Sequence, residues 1–235
     1  MTNYEVTVTM SQATVVQLHD NGYALLVLRA VRAAGGGKPL VWTRTTGYSL
    51  QTVVSWSDRY QAYTSRSEIV PGGQIVVGAA YDIRPDQLLV VESPAGTGSV
   101  RNEGIAGAVS VLNQTTTQFA SGICQADGGG APVCALPLFG KNLIAVSPTE
   151  KVLLTLSAQP ARAGTVLERS YAPSILVDLA GATSRTVEYD VNDGWSWGSG
   201  TWATELPAFT DLVPILVEPS AELRLACASM LAAAT

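Results

Sequence analysis

Tyr4-Glu5-Val6-Thr7-Val8-Thr9-Met10 alternates apolar and polar side chains with a period of two. Successive side chains leave a strand on opposite faces, so this stretch predicts a strand with one face turned inward; a helix needs a period near 3.6. The same signal, rich in Val, Ile, Leu, Thr and Tyr, returns at 23–31, 40–45, 51–56, 74–81, 87–92, 108–112, 151–157, 174–179 and 186–191. Gly, Pro, Asn and Asp punctuate these segments at intervals of roughly 8 to 15 residues, the rhythm of a sandwich or barrel. The expectation is an all-β chain folded as an antiparallel β-sandwich. Segments 23–31 and 74–81 are nearly continuous apolar runs, which predicts strands covered on both faces.

A partial internal echo runs through this pattern. Ile83-Arg84-Pro85, Leu88-Leu89, Pro94-Ala95 and Gly98 are answered by Val146-Ser147-Pro148, Leu153-Leu154, Pro160-Ala161 and Gly164. Two readings stand: related halves, 1–102 and 103–218, or a chance likeness of two strand-turn-strand units. The segment 219–235 differs in kind. It is rich in helix formers, Ser220 or Pro219 stands where a helix begins, and Leu223, Cys227, Met230 and Leu231 fall on one face. A short amphipathic helix is expected, either covering an exposed part of the β-domain or docking on a second copy of the chain.

Composition narrows the function. Of 235 residues 47% are hydrophobic and 14% charged, a balance that supports a folded core throughout. The net charge is −5 and the basic residues are scattered, so the phosphate neutralisation that drives nucleic-acid binding has no footprint. No apolar run approaches the roughly 20 residues of a membrane-spanning helix. The N-terminus has neither a basic start nor an apolar core region, which predicts cytoplasmic synthesis, or release by a route independent of a signal peptide.

Ordinary catalytic sets are missing. His19 is the single histidine, and it stands beside Asp20-Asn21-Gly22, which reads as a turn, so a solvated loop position is expected and no nucleophile–base triad is formed. Gly35-Gly36-Gly37-Lys38 lacks the spacing and hydroxyl of a phosphate loop and reads as a hairpin loop. Gly198-Ser199-Gly200 lacks the strand-to-helix context of a hydrolase elbow. A carboxylate pair drawn from Asp58, Glu68, Asp82, Glu92, Glu188 and Asp190 is the one enzymatic arrangement the sequence leaves open. Cys124, Cys134 and Cys227 make no zinc motif; Cys124 and Cys134 flank a Gly-rich loop, either as buried thiols in neighbouring strands or as a disulfide. No cofactor is implied.

Two aromatic clusters remain. In Tyr189-Asp190-Val191-Asn192-Asp193-Gly194-Trp195-Ser196-Trp197-Gly198-Ser199-Gly200-Thr201-Trp202, three of the five tryptophans fall within eight residues. Tyr189, Asp190, Asn192, Asp193, Trp195, Trp197 and Trp202 are therefore candidate ligand-binding residues: rings stack on sugar C–H groups or settle among lipid headgroups, and the Asp and Asn oxygens accept hydroxyl protons or contribute to a calcium site. The competing reading makes Trp195 and Trp197 an inward strand face. The second cluster, Trp56, Tyr60 and Tyr63 with Asp58, offers another aromatic patch with polar handles, or ordinary core packing. The expected function is non-enzymatic recognition of carbohydrate or lipid headgroups, lectin-like or in the manner of a membrane-binding toxin; for the lytic version only the C-terminal helix or the Thr-rich segment 113–121 supplies a detachable piece. The alternative is a self-assembling structural or accessory protein, with homo-oligomer contacts through Leu223, Cys227, Met230 and Leu231 and a low charge that weakens mutual repulsion.

Overall fold

The computed structural model describes residues 2–127 and 129–233. In chain order the elements begin β1 (Asn3–Met10), α1 (Gln12–Asp20), β2 (Ala24–Ala33), β3 (Lys38–Pro39), β4 (Thr43–Thr45), β5 (Gln51–Ser57), β6 (Tyr60–Ser65), β7 (Ala79–Ile83), β8 (Leu88–Val91) and β9 (Gly98–Arg101). They continue with β10 (Val109–Asn113), β11 (Phe119–Gln125), β12 (Cys134–Leu138), β13 (Leu143–Ser157), β14 (Ser174–Asp178), β15 (Ser184–Asp190), β16 (Gly194–Ser196) and β17 (Ala203–Leu206). The chain ends in α2 (Val213–Leu216), β18 (Val217–Pro219) and α3 (Ala221–Ala233).

The fold is all-β and sandwich-like, with mostly antiparallel sheets and a short C-terminal helix. One sheet has the order β16-β15-β1-β5, a second β3-β12-β11-β6-β7. The largest is built on the 15-residue β13: β10 pairs with its first residues, β14 with its last, and β2 from Val146 to Ser157. Parallel pairs join β1 to β15, β8 to β10 and β2 to β18, so early and late strands interleave within the sheets.

Burial follows the strand period. On β2, Leu25, Val27, Val31 and Ala33 enter the main core with Val6 and Val8 of β1, Ile123 of β11 and Val152, Leu154 and Leu156 of β13. Ala24, Leu26, Leu28 and Ala30 face the other way, packed with Leu153 and with Leu212 and Leu216 around α2. Both faces of β2 are thus covered, as its nearly continuous apolar run predicts. Segment 74–81 departs from expectation: only Ala79–Ile83 is a strand, and Val76 is 64% exposed. Gly72-Gly73 and Gly78 break the run, and the backbone is held piecemeal, by Ile75 N–H to Gly164 O at 2.9 Å and Gly78 N–H to Thr64 O at 2.8 Å. Segment 40–45 is likewise a strand only at Thr43–Thr45.

The region between β1 and β2 holds a helix rather than a simple turn. Ser11 caps α1 by accepting the Thr14 N–H at 3.1 Å, and Thr14, Val15 and Leu18 are buried at helical spacing. The Asn21-Gly22 turn ends α1 with Gly22 at φ 71°, and His19 lies on the helix's last turn, its ring 4.5 Å from that of Tyr48. At the other end of the chain, Ser220 accepts the Leu223 N–H at 3.3 Å at the start of α3. Leu223 and Cys227 are buried with Leu88, Val90, Leu143 and Ala145, and Met230 and Leu231 pack beside them. The apolar stripe of α3 is therefore turned onto the β8-β10-β13 sheet of its own chain. Segment 113–121 is tied down as well: Asn113 donates to Thr117 O at 2.7 Å and Phe139 O at 3.1 Å, and accepts from Thr115.

Cys124 and Cys134 are free and buried in adjacent strands. Cys134 belongs to the main core with Ile123, whereas Cys124 packs with Tyr63 and Ala135 in a separate cluster, so the two thiols point to opposite faces of their sheet. Burial pushes the thiol of Cys134 up to about 12 and that of Cys227 to about 11, and raises that of Cys124 as well. A buried neutral thiol is a poor nucleophile. At pH 8 a colorimetric thiol reagent should therefore read almost nothing on the folded chain and all three cysteines after denaturation. Since unfolded thiols ionise near their ordinary 9.0 while the folded ones keep their protons, the unfolded state is favoured as pH rises past about 9. A stability that stays flat up to about pH 11 would contradict this burial.

Phe209 follows β17 at φ 65°, a left-handed conformation that is costly for a bulky residue, and its ring is 68% exposed. It meets Tyr171, itself 54% exposed, edge-on with centroids 6.4 Å apart. Phe209→Gly relieves roughly 1–2 kcal/mol of strain and gives up a weak ring contact and some chain entropy, so thermal unfolding should change by less than about 1 kcal/mol. A loss of about 3 kcal/mol, the cost of emptying a core aromatic site, would contradict that placement.

Candidate functional site

β13 does not run smoothly past β2. Pro148 pairs with Val31 and Val152 with Arg29, so Thr149, Glu150 and Lys151 stand against Ala30 alone. Proline cannot donate to the ladder, and the extra residues form a bulge that turns the Thr149 carbonyl and the Glu150 side chain away from regular pairing. Thr149 Oγ1 fixes the bulge by donating to Ala30 O at 2.7 Å.

Opposite the bulge lies Arg29, on the inward face of β2 in line with Val27 and Val31 and only 3% exposed. Its Nη1 donates to Gln125 Oε1 at 2.9 Å and its Nη2 to Thr149 O at 3.0 Å. Gln125, buried in β11, is pinned in turn by its Nε2 donating to Ser57 O at 2.7 Å and Arg59 O at 3.0 Å. The guanidinium lies 4.4 Å from the Trp56 ring centre and 5.9 Å from that of Trp42. Trp42 meets Trp56 edge-on at 6.1 Å, and Tyr4 stacks on Trp56 at 5.7 Å. Burial lowers the affinity of Arg29 for its proton, while Tyr60 and Tyr4 beside it act the other way.

Of these groups Tyr4, Arg29 and Thr149 line an open cavity of about 750 Å³. Tyr4, Arg29, Tyr60, Ile83, Pro85, Pro148 and Thr149 form its wall, with Asp58, Arg59, Asp82, Arg84 and Glu150 around it. Tyr4 Oη donates to Glu150 Oε1 at 3.0 Å; burial first, then that bond, raises its phenol. The Tyr60 phenol is raised by burial against the opposing charge of Arg29. The loop between β5 and β6, where the chain passes from one sheet to the next, is fixed by Asp127, whose Oδ2 accepts from the Ser57 N–H at 3.0 Å and from Ser57 Oγ. Arg59 adds an ion pair to Asp127 at 3.8 Å. The cavity thus combines half-buried phenol rings, a fixed buried cation and exposed groups of both charges, within the size of a typical small-ligand site.

No protein-family model, curated protein or solved structure matches this chain.

Of the residues singled out in the sequence, the structure brings Asp58 and Tyr60 to this cavity, with Trp56 buried behind it against Tyr4 and Arg29. Tyr63 lies elsewhere: fully buried, it donates from its hydroxyl to Cys134 O at 2.8 Å. β6 turns Tyr60 and Ala62 toward the main core and Tyr63 to the opposite face. In the second cluster Trp195 is 4% exposed, its indole N–H donating to Pro173 O at 3.1 Å and its ring packed on Tyr189. Trp197 and Trp202 are partly buried against the same core, and their indole N–H groups close on Gly200 O and Ser199 O, both at 3.1 Å. Gly200 is required there, since a Cβ would stand 2.8 Å from the Trp202 ring. Arg185 covers Trp202 at 4.8 Å.

Asp190 spends its oxygens locally, accepting from Thr14 Oγ1 at 2.8 Å and from the Asn192 N–H at 2.9 Å. The Asn192 backbone bond, then that from Thr14, holds its carboxyl below the usual range. Asn192 and Asp193 are exposed in the turn that follows. Among the described residues no three His, Cys, Asp or Glu side chains gather to hold a metal ion, and no helix is long and apolar enough to cross a membrane. Arg29, the centre of the site, was missed from the sequence, although its signal is plain: a charged residue inside Ala24-Leu25-Leu26-Val27-Leu28-Arg29-Ala30-Val31, where a buried strand admits one only if other groups fix it.

Proposed function

We propose that this chain is a non-enzymatic recognition protein, and that it takes a saccharide in the cavity beside Arg29. The observation that carries the reading is the pairing of half-buried Tyr4 and Tyr60 with hydrogen-bonding groups of both charges around one cavity. A sugar presents apolar C–H faces that suit phenol rings and hydroxyls that both donate and accept, and Asp58, Glu150 and the arginines supply the complementary partners. Rigidity supports it further: the bulge and Gln125 fix the wall before any ligand arrives, which lowers the entropic cost of binding.

The lipid-headgroup version of the same chemistry is separated by experiment. Wild-type protein, Tyr4→Ala/Tyr60→Ala and Trp197→Ala/Trp202→Ala are applied to a glycan array and to liposomes. The expected result is glycan binding that is lost in the tyrosine variant and kept in the tryptophan variant; liposome binding alone, or loss confined to the tryptophan variant, would overturn the assignment. The self-assembling alternative retains one favouring observation, the exposed apolar side chains Leu50, Val53, Tyr171 and Phe209. Light scattering that shows a monomer across a wide concentration range would remove it.

A further inference from the structure

We propose that the saccharide taken beside Arg29 is an acidic one, carrying a carboxylate, and that the site selects it over its neutral counterpart. This rests on the reading just given and adds the ligand's charge.

The first observation is an unbalanced charge. Among the described residues no carboxylate comes within ion-pair distance of Arg29; the ion pairs present are Lys38–Glu168, Arg59–Asp127 and Arg101–Glu92. A guanidinium held in the interior by a carbonyl, an amide, indole rings and the neutral phenol of Tyr60 is costly, because no carboxylate offsets its desolvation. The second observation is a local surplus of donors. Arg29 Nε and Trp56 Nε1 are both buried and have no acceptor among the described residues. An orphaned donor on an uncompensated cation in the cavity wall, with a second on the Trp56 ring packed against that cation, favours an acceptor bearing negative charge.

The acidic residues around the cavity do not cancel this. Asp58, Asp82 and Glu150 are exposed, where water and salt screen them, while the Arg29 charge acts through the low-dielectric interior. Glu150 is engaged by Tyr4 Oη, and Asp82 accepts from Gln61 Nε2 at 2.8 Å. A ligand with its carboxylate toward Arg29 and its hydroxyls toward Asp58 and Glu150 satisfies both ends, which neither a plain anion nor a neutral sugar does. The overall charge of −5 gives no long-range attraction for anions, so the selectivity is that of the cavity itself.

The test is titration calorimetry with matched pairs: the methyl glycosides of glucuronic acid and glucose, and of galacturonic acid and galactose, with acetate as a competitor. Acid should bind about tenfold or more tightly than its neutral partner, weaken with salt, and resist displacement by acetate. Arg29→Met, whose gains and losses in folding nearly balance, should lose binding of the acids without unfolding the chain. Equal affinity within both pairs would overturn this inference and leave saccharide recognition standing. Displacement by acetate at comparable concentration would also overturn it, by reducing the site to a simple anion receptor. Failure of all four glycosides to bind would overturn both readings.

Discussion

Trp56→Ala should cost roughly 3–5 kcal/mol of folding stability, the range for emptying a large aromatic site in a packed core. The ring is 3% exposed, stacks with Tyr4, meets Trp42 edge-on and underlies the Arg29 guanidinium, so its removal opens a cavity and strips the cation of its nearest π-face together. The loss should appear as a lowered midpoint in urea unfolding. Tyr4 loses the surface it stacks on, so saccharide binding should fall with stability. Trp56→Phe keeps one ring, losing the orphaned indole N–H together with part of the buried ring volume, and it should recover part of the stability. If Trp56→Ala unfolds within about 1 kcal/mol of wild type, the packing described around Arg29 is wrong.

Arg29→Met should separate folding from binding. Methionine fills a similar volume without a charge, which removes the desolvation cost of a buried, uncompensated cation, a gain of several kcal/mol. Against that, Gln125 Oε1 and Thr149 O each lose a donor, at about 1–3 kcal/mol apiece. The two effects nearly cancel, so stability should move by less than about 2 kcal/mol in either direction while saccharide binding is lost. A residue with so little net value to folding, kept charged inside an apolar strand, is what a binding role explains. Unfolding of the variant with a loss above about 4 kcal/mol would show that the cation is chiefly structural.

How far the sequence was legible depended on how each segment is buried. β1 and β2 announce themselves because one is half-buried and alternates, while the other is covered on both faces and is nearly all apolar. α3 was legible for the same reason, its stripe of Leu223, Cys227, Met230 and Leu231 having a sheet to pack on. β6 and β11 were not. Tyr60-Gln61-Ala62-Tyr63-Thr64-Ser65 and Phe119-Ala120-Ser121-Gly122-Ile123-Cys124-Gln125 carry polar or small residues at buried positions, satisfied by bonds such as Ser121 Oγ to Tyr63 O at 2.6 Å that no one-dimensional pattern displays. α1 escaped because only Val15 and Leu18 mark its inner face within nine residues.

The site was half legible for a related reason. Trp56, Asp58 and Tyr60 drew notice as a local cluster, but the partners that give them meaning come from β2, the β13 bulge and β11, far away in sequence. Local density alone favoured the tryptophan loop. There the Gly and Ser between Trp195 and Trp202 serve to fold the rings back on the loop's own carbonyls rather than to display them.

Saccharide recognition at the Arg29 cavity is tested most directly by amide chemical-shift mapping of isotope-labelled protein titrated with methyl glucuronide. The predicted result is a set of perturbations confined to Tyr4, Asp58 to Tyr60, Ile83 to Arg84 and Thr149 to Glu150, with Trp195 to Trp202 unmoved. Perturbations centred on the tryptophan loop, or none at millimolar sugar, would contradict it.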